Sequence, residues 1–224
     1  MMDNAEALWS AVDDYVVSSL GGSDSVLTAV LEESERAGLP AIAVSETQGR
    51  FLQIMARLIG AQRILEIGTL GGYSTICLAR GMMPGGHVTT LEISADHAAV
   101  AASNIRKAGF EGAVTIRLGP AAETLAALAE EAAGPFDLVF IDADKAGIPV
   151  YFDRALKLSR PGAAIIVDNV VRKGQLVDGE SDDANVRGVR RLHELIPSLG
   201  VTATTIQTVG AKGYDGFLIA IAGG

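Results

Sequence analysis

The chain has 224 residues, enough for one α/β domain with a full core and with no need of a second. Hydrophobic residues make up 49% and charged residues 20%, the composition of a globular protein rather than a disordered one. A formal net charge of -9 repels phosphate backbones and argues against nucleic acid as a partner.

Residues 1–6 are acidic and lack the basic and apolar regions of a signal peptide. No stretch approaches the roughly 18 uninterrupted apolar residues of a membrane span. These features predict a cytoplasmic protein with no membrane partner. The first 60 residues read as a helical cap, with segments at 3–19, 25–37 and 46–59. Ser45-Glu46-Thr47-Gln48 fits a capping box opening the third, and Phe51, Leu52, Met55 and Leu58 follow at helical spacing.

From residue 61 the rhythm changes. Short apolar runs at 63–67, 87–92, 113–118, 137–141 and 163–167 alternate with helical stretches at 73–80, 95–108, 121–133 and 149–159. That alternation predicts βαβ units and a parallel sheet covered on both faces. A polar loop (172–183), a helix (185–199) and two runs at 202–208 and 216–221 follow, one of these last strands being antiparallel. The expectation is an α/β, Rossmann-like fold: seven strands, mostly parallel, helices on both faces, extra N-terminal helices, and one domain over 1–224. Cys77, the sole cysteine, falls in the helix at 73–80 as a small buried hydrophobe.

The first run ends in Glu66-Ile67-Gly68-Thr69-Leu70-Gly71-Gly72. Glycines here let backbone approach a ligand, but Leu70 stands where a dinucleotide fingerprint needs its second glycine. An acidic residue before Gly68 suits a ligand with a positive end better than a pyrophosphate. Glu92 ends the second run 24 residues beyond Gly68, placed to accept ribose hydroxyls. Together Glu66, Gly68 and Glu92 point to an adenosine-containing ligand, S-adenosylmethionine in preference to NAD.

Two further carboxylates follow buried runs: Asp142 in Phe140-Ile141-Asp142-Ala143-Asp144-Lys145, and Asp168 before Asn169. Ligands of open α/β sheets sit at the carboxyl ends of strands, so Asp142, Asp168 and Asn169 can converge. Three oxygen donors with room for water or substrate suit a hard cation such as Mg²⁺. His87, His97 and His193 are scattered and show no ligand spacing. Lys145 stands three residues beyond Asp142, where a lysine beside a metal can serve as a general base.

In order, Val44-Ser45-Glu46-Thr47-Gln48-Gly49, Leu65-Glu66-Ile67-Gly68 with Gly72-Tyr73-Ser74, Phe140 to Lys145, Asp168-Asn169-Val170 and Asp215-Gly216 resemble the cation-dependent O-methyltransferases typified by the catechol and caffeoyl-CoA enzymes. The resemblance runs from about Ala41 to Ile221. It implies that Val44, Glu66, Gly68, Thr69 and Ser74 hold the methionine end of S-adenosylmethionine and that Glu92 takes the ribose. It further implies that the Gly119-Pro120-Ala121 turn borders the adenine. Asp142, Asp168 and Asn169 become metal ligands, with Asp142 also against the cofactor, and Lys145 becomes the base. The implied acceptor is a phenolic, catechol-like small molecule, and the implied assembly a homodimer. Gly71 departs from the family's usual threonine, Pro120 replaces its common aspartate, and no Trp/Tyr cage is evident. The rival readings are a non-catalytic binder of the same cofactor, an NAD-dependent oxidoreductase and an RNA methyltransferase.

Overall fold

Side-chain alternation along the strands decides which of two apolar clusters each residue joins. The computed structural model describes residues 2–223. Three helices lead, α1 (Met2–Ser19), α2 (Ser25–Arg36) and α3 (Glu46–Leu58). Then come β1 (Arg63–Ile67), α4 (Tyr73–Gly81), β2 (His87–Glu92), α5 (Ala95–Lys107), β3 (Val114–Leu118) and α6 (Ala121–Glu130). The second half holds β4 (Phe136–Ile141), α7 (Ile148–Lys157), β5 (Ser159–Asp168), α8 (Ala184–Leu195), β6 (Thr202–Gly210) and β7 (Gly213–Ile221). The strands form one seven-stranded sheet in the order β3-β2-β1-β4-β5-β7-β6. β1 to β5 pair in parallel, and β7 runs antiparallel to both of its neighbours.

On β1, β4, β5 and β7, residues Leu65, Ile67, Val139, Ile141, Ile165, Val167, Leu218 and Ala220 pack under α6, α7 and α8. Their alternates Ile64, Leu138, Phe140, Ala164 and Ile166 pack under α2 to α5. This period of two is what a sheet buried on both faces requires. Each fully buried Leu, Ile or Phe contributes about 1.5–3 kcal/mol relative to exposure. Leu27 and Val30 of α2 and Leu52 and Ala56 of α3 belong to the second cluster, so these two helices share the sheet's core.

The structure differs from the sequence expectation at a few boundaries. β5 begins at Ser159 rather than 163, because Ser159 pairs with Phe136 before the register shifts and resumes at Leu138 and Ala164. Pro161 and Gly162 sit in that irregularity, where their poor strand character is tolerated. The helix expected over 185–199 stops at Leu195, and Pro197 falls in a 3₁₀ turn, Ile196–Ser198. Proline lacks the N–H and clashes with the preceding turn. Within the expected loop at 172–183, Arg172–Val177 forms a tight 3₁₀ segment. Among the described residues no helix is long and apolar enough to cross a membrane. Cys77 is buried, and burial pushes its thiol up to about 12.

Candidate active site

The carboxyl ends of the central strands are held level by hydrogen bonds that continue past the strands. Gly68 N–H donates to the Leu91 carbonyl at 2.9 Å, Gly119 N–H to Glu92 at 2.9 Å, and Asp142 N–H to Ile67 at 2.8 Å. Over these ends opens a cleft of about 1200 Å³, roofed by α2 and the segment joining it to α3. Its position beside β1, where the strand order reverses, is the expected ligand crevice of an open α/β sheet. Val44, Gly68, Thr69, Ser74, Glu92, Ala121, Asp142, Lys145 and Asn169 all line it. Glu66 and Asp168 do not; both lie just behind its wall.

The glycine loop owes its sequence mainly to protein neighbours. Gly68 has φ 99°, and a Cβ there would stand 2.0 Å from the Asp142 carbonyl oxygen. The glycine is therefore required by the close approach of the β1 and β4 ends. Gly71 is required by α2, since a Cβ would meet Ser34 Oγ at 2.2 Å. The departure from threonine at that position is thus matched by the packing of α2 on the loop.

Glu92 is 7% exposed and faces the cleft. Its Oε2 accepts from Thr69 N–H at 3.2 Å and Leu70 N–H at 2.8 Å, its Oε1 from Ile93 N–H at 3.0 Å and Ser94 N–H at 2.9 Å. These amides tie the loop after β1 to the turn after β2 and leave the carboxylate little freedom to turn. Leu70, at φ 50°, is held in the left-handed region by this clamp.

Glu66 points, by strand alternation, to the face under α4. There it accepts hydrogen bonds from Ser74 Oγ at 2.6 Å, Thr90 Oγ1 at 2.7 Å and the Thr75 hydroxyl. Thr90 sits opposite it in register. Glu66 reaches the cleft only through Ser74. Complete burial raises its carboxyl from 4.5 to about 7, the hydroxyl donors opposing the rise and the charge of Asp142 adding to it. A carboxyl raised on folding stabilises the fold below its unfolded value and loses that contribution as pH rises through the folded one. Glu66→Gln is therefore expected to leave the cofactor-free protein unchanged near pH 4. At pH 8 it should add up to about 3 kcal/mol. Melting curves across that range check this, and a variant less stable than wild type at pH 8 contradicts it.

At the ends of β4 and β5, Lys145 Nζ donates to Asp142 Oδ1 at 2.8 Å, and the lysine side chain is 8% exposed. Asp168, 4% exposed, accepts from Asn169 N–H at 2.8 Å. Burial pushes Asp168 up to about 7, with the neighbouring Asp142 charge adding to the rise and Lys145 opposing it. Asn169 completes the corner in the left-handed region at φ 55°. Among the described residues no cluster of three His, Cys, Asp or Glu side chains forms. The set instead offers two carboxylates and an amide oxygen, with one lysine opposing two acidic charges. Its oxygen chemistry and its residual negative charge fit a hard divalent cation.

Some lining residues escaped sequence reasoning. Gln48, which does not line the cleft, read as half of a capping box; Ser45 Oγ does accept from Gln48 N–H at 3.2 Å, while the Gln48 side chain lies near enough to Asp168 to oppose the rise of its pKa. His97 lies 3.6 Å from Glu92 Oε1, in the first turn of a helix capped by Ser94. Tyr151 donates to Asp144 Oδ1 at 2.6 Å, and Lys212 arrives from the β6–β7 hairpin, donating to the Ala41 carbonyl at 3.2 Å. Only tertiary packing brings these to the cleft, and no local pattern announces it.

The O-methyltransferase family model matches residues 17–207. The catechol O-methyltransferase of Mycobacterium tuberculosis is 51% identical over 211 residues, covering 94% of each chain. That of Niastella koreensis is 47% identical, covering 96% of this chain and 97% of its own. The O-methyltransferase from Bacillus cereus in complex with SAH superposes with a TM-score of 0.95 at 52% identity, covering 99% of this chain and 100% of that one. TomG from Streptomyces achromogenes, in complex with SAM, gives 0.94 at 47% identity, covering 98% and 99%. With a cleft at the switch point of the sheet and likeness over nearly its whole length, the chain belongs to the O-methyltransferase family and is an S-adenosylmethionine-dependent enzyme of it.

Proposed function

We propose that the enzyme methylates one hydroxyl of a catechol-like vicinal diol, with a divalent cation, Mg²⁺ in the first instance, held by Asp142, Asp168 and Asn169. The observation that carries this reading is the buried corner where the Asp142–Lys145 pair meets Asp168 and Asn169 beside the cofactor cleft. The names of the two relatives above support a catechol acceptor. In this reading Val44, Gly68, Thr69 and Ser74 hold the methionine end of the cofactor, Ser74 being braced by Glu66. Glu92 accepts from the ribose. Pro120 has no N–H, but Ala121 and Ala122 open α6, so their amides lack intrahelical acceptors and can serve the adenine edge.

When bound, the cation would supply Lewis acidity to two adjacent oxygens of the acceptor. Lys145, with its nitrogen deprotonated, takes the hydroxyl proton at Nζ. The oxygen lone pair then forms a bond to the methyl carbon as the carbon–sulfur bond breaks, leaving a neutral thioether. Asp142 holds the Lys145 side chain in place, while the clamped loop at Thr69 and Leu70 fixes the donor. Positioning of this kind supplies up to about 7–11 kcal/mol.

Turnover of catechol, resorcinol and phenol with S-adenosylmethionine and Mg²⁺ tests the proposal. Catechol should give the monomethyl ether, with resorcinol and phenol about tenfold slower or worse, because only the 1,2-diol presents two oxygens to one corner. Equal rates on all three would overturn it. The homodimer is proposed as well. Leu8, Val12 and Tyr15, between 52% and 74% exposed, recur along α1 at helical spacing and offer an apolar face for a second copy. Light scattering should find twice the chain mass, and a monomer at every concentration rejects the dimer.

A further inference from the structure

Arg172 follows the Asp168-Asn169 corner by three residues and lines the same cleft. It stands in a turn of left-handed residues. Arg172 and Lys173 have φ 55° and 54°, a region that side chains with a Cβ seldom adopt, and Gly174 follows at φ 85°. The turn is held from outside. Asp215 Oδ1 accepts from Val171 N–H at 3.0 Å, Arg172 N–H at 2.9 Å and Gly216 N–H at 2.9 Å, and Arg190 donates to the Leu176 carbonyl at 2.8 Å. The consequence is an arginine fixed by its backbone and free at its head. Its guanidinium takes part in none of the side-chain hydrogen bonds or ion pairs among the described residues, and its Nε is buried with no acceptor.

A buried guanidinium donor without a partner is unfavourable, so the site is complete only when an acceptor arrives with the ligand. Three consecutive Cα–Cα steps place Arg172 within about 11 Å of Asn169, a span that a substituted benzene ring and an arginine side chain bridge together. Besides Lys145, which is paired with Asp142, Lys212 adds a further cation to the lining from the β6–β7 hairpin. Of the seven acidic residues there, Asp24, Glu46 and Asp142 are paired with Arg80, Arg50 and Lys145, Glu92 is held by backbone amides and Asp144 by Tyr151 and the Gly147 amide, which leaves Glu32 and Glu35 on the α2 side. In a chain of net charge -9, a cationic spot in the substrate cleft is selective for an anion against the prevailing field.

We propose that Arg172 is a specificity residue of the acceptor site and that the preferred acceptor is an aromatic diol bearing a carboxylate, received by the guanidinium fork. The proposal rests on the diol reading above for the ring, and on Arg172 alone for the carboxylate. A planar carboxylate matches the two parallel N–H groups of arginine, which lysine cannot imitate.

The test is calorimetry on the full-length protein loaded with S-adenosylhomocysteine and Mg²⁺. The ligands are 3,4-dihydroxybenzoate, its neutral amide, 3,4-dihydroxybenzylamine and plain benzoate. The acid should bind wild type about 10- to 100-fold more tightly than the amide, a charge-assisted hydrogen-bond difference. Arg172→Met should erase that ratio. Arg172→Glu should reverse it in favour of 3,4-dihydroxybenzylamine, a gain that a misfolded variant cannot show. Acid and amide binding equally to wild type, or a preference that survives in Arg172→Met, overturns the inference and leaves the diol reading standing. Loss of S-adenosylhomocysteine affinity alone in Arg172→Met also overturns it, assigning the arginine to the cofactor. If no diol is ever methylated but benzoate still binds through Arg172, the diol reading fails and the anion site stands.

Discussion

Asp168→Asn is expected to lower kcat/KM by about 10²–10⁴-fold, the range that follows when several kcal/mol of Lewis-acid assistance are lost at 1.36 kcal/mol per decade. The substitution is close to isosteric and keeps an acceptor for the Asn169 N–H that Asp168 binds at 2.8 Å. What it removes is a negative charge beside Asp142. That charge is costly in the cation-free protein, where burial and Asp142 push Asp168 up to about 7. The sign follows: a carboxyl raised on folding stabilises below its unfolded value and loses that contribution as pH passes the folded one. At pH 8 without metal the variant should therefore melt no lower than wild type. Mg²⁺ should raise the melting temperature of wild type and leave Asp168→Asn unmoved, because only a state that binds is stabilised by mass action. Dialysis of wild type against a chelator should reproduce the loss of activity, with recovery on adding Mg²⁺. Full activity in the chelated enzyme, or in the variant, would remove the cation from the proposal.

The cofactor half of the cleft was more legible in the chain than the acceptor half, for physical reasons. Strand ends announce themselves, since an apolar run that stops at a carboxylate fixes both the end of the strand and the placement of the side chain. Glu92, Asp142 and Asp168 were found this way. Strand alternation also explains what that logic misses at Glu66, which ends up beneath α4 with Ser74 between it and the cleft. Glycines were legible as markers but not as causes. Gly68 reads as room for a ligand, yet the atom it makes room for is the Asp142 carbonyl oxygen. The acceptor half depends on partners far apart in the chain. Asp215 organises the turn at Arg172 from 43 residues away. Lys212 comes to the cleft from the β6–β7 hairpin and Gln48 to the neighbourhood of Asp168 from α3, and neither local pattern predicts its destination. Pro161 and Gly162 concealed the start of β5 because a sheet irregularity absorbs residues that would break a regular ladder.

Lys145→Met is expected to lower kcat by about 10²–10⁴-fold, the usual contribution of a positioned acid–base group. The affinity for S-adenosylmethionine should stay near wild type, since the cofactor's proposed contacts lie at Val44, the loop after β1, α4, the end of β2 and the start of α6, and none is Lys145. A fall in rate alone would not establish proton transfer, because Lys145 also pairs with Asp142 at 2.8 Å. Arginine separates the two roles. Lys145→Arg keeps the positive charge and can pair with a carboxylate, but a guanidinium does not surrender its proton in a protein. If the lysine serves only to neutralise Asp142 and hold it, arginine should restore most of the activity. If Nζ takes the proton of the acceptor hydroxyl, arginine should be as slow as methionine. Acceptors of lower hydroxyl pKa supply the complementary evidence. They arrive already ionised, so the gap between wild type and Lys145→Met should close along a series of increasingly acidic catechols. A gap that stays constant across that series would assign Lys145 to charge and position rather than to the proton.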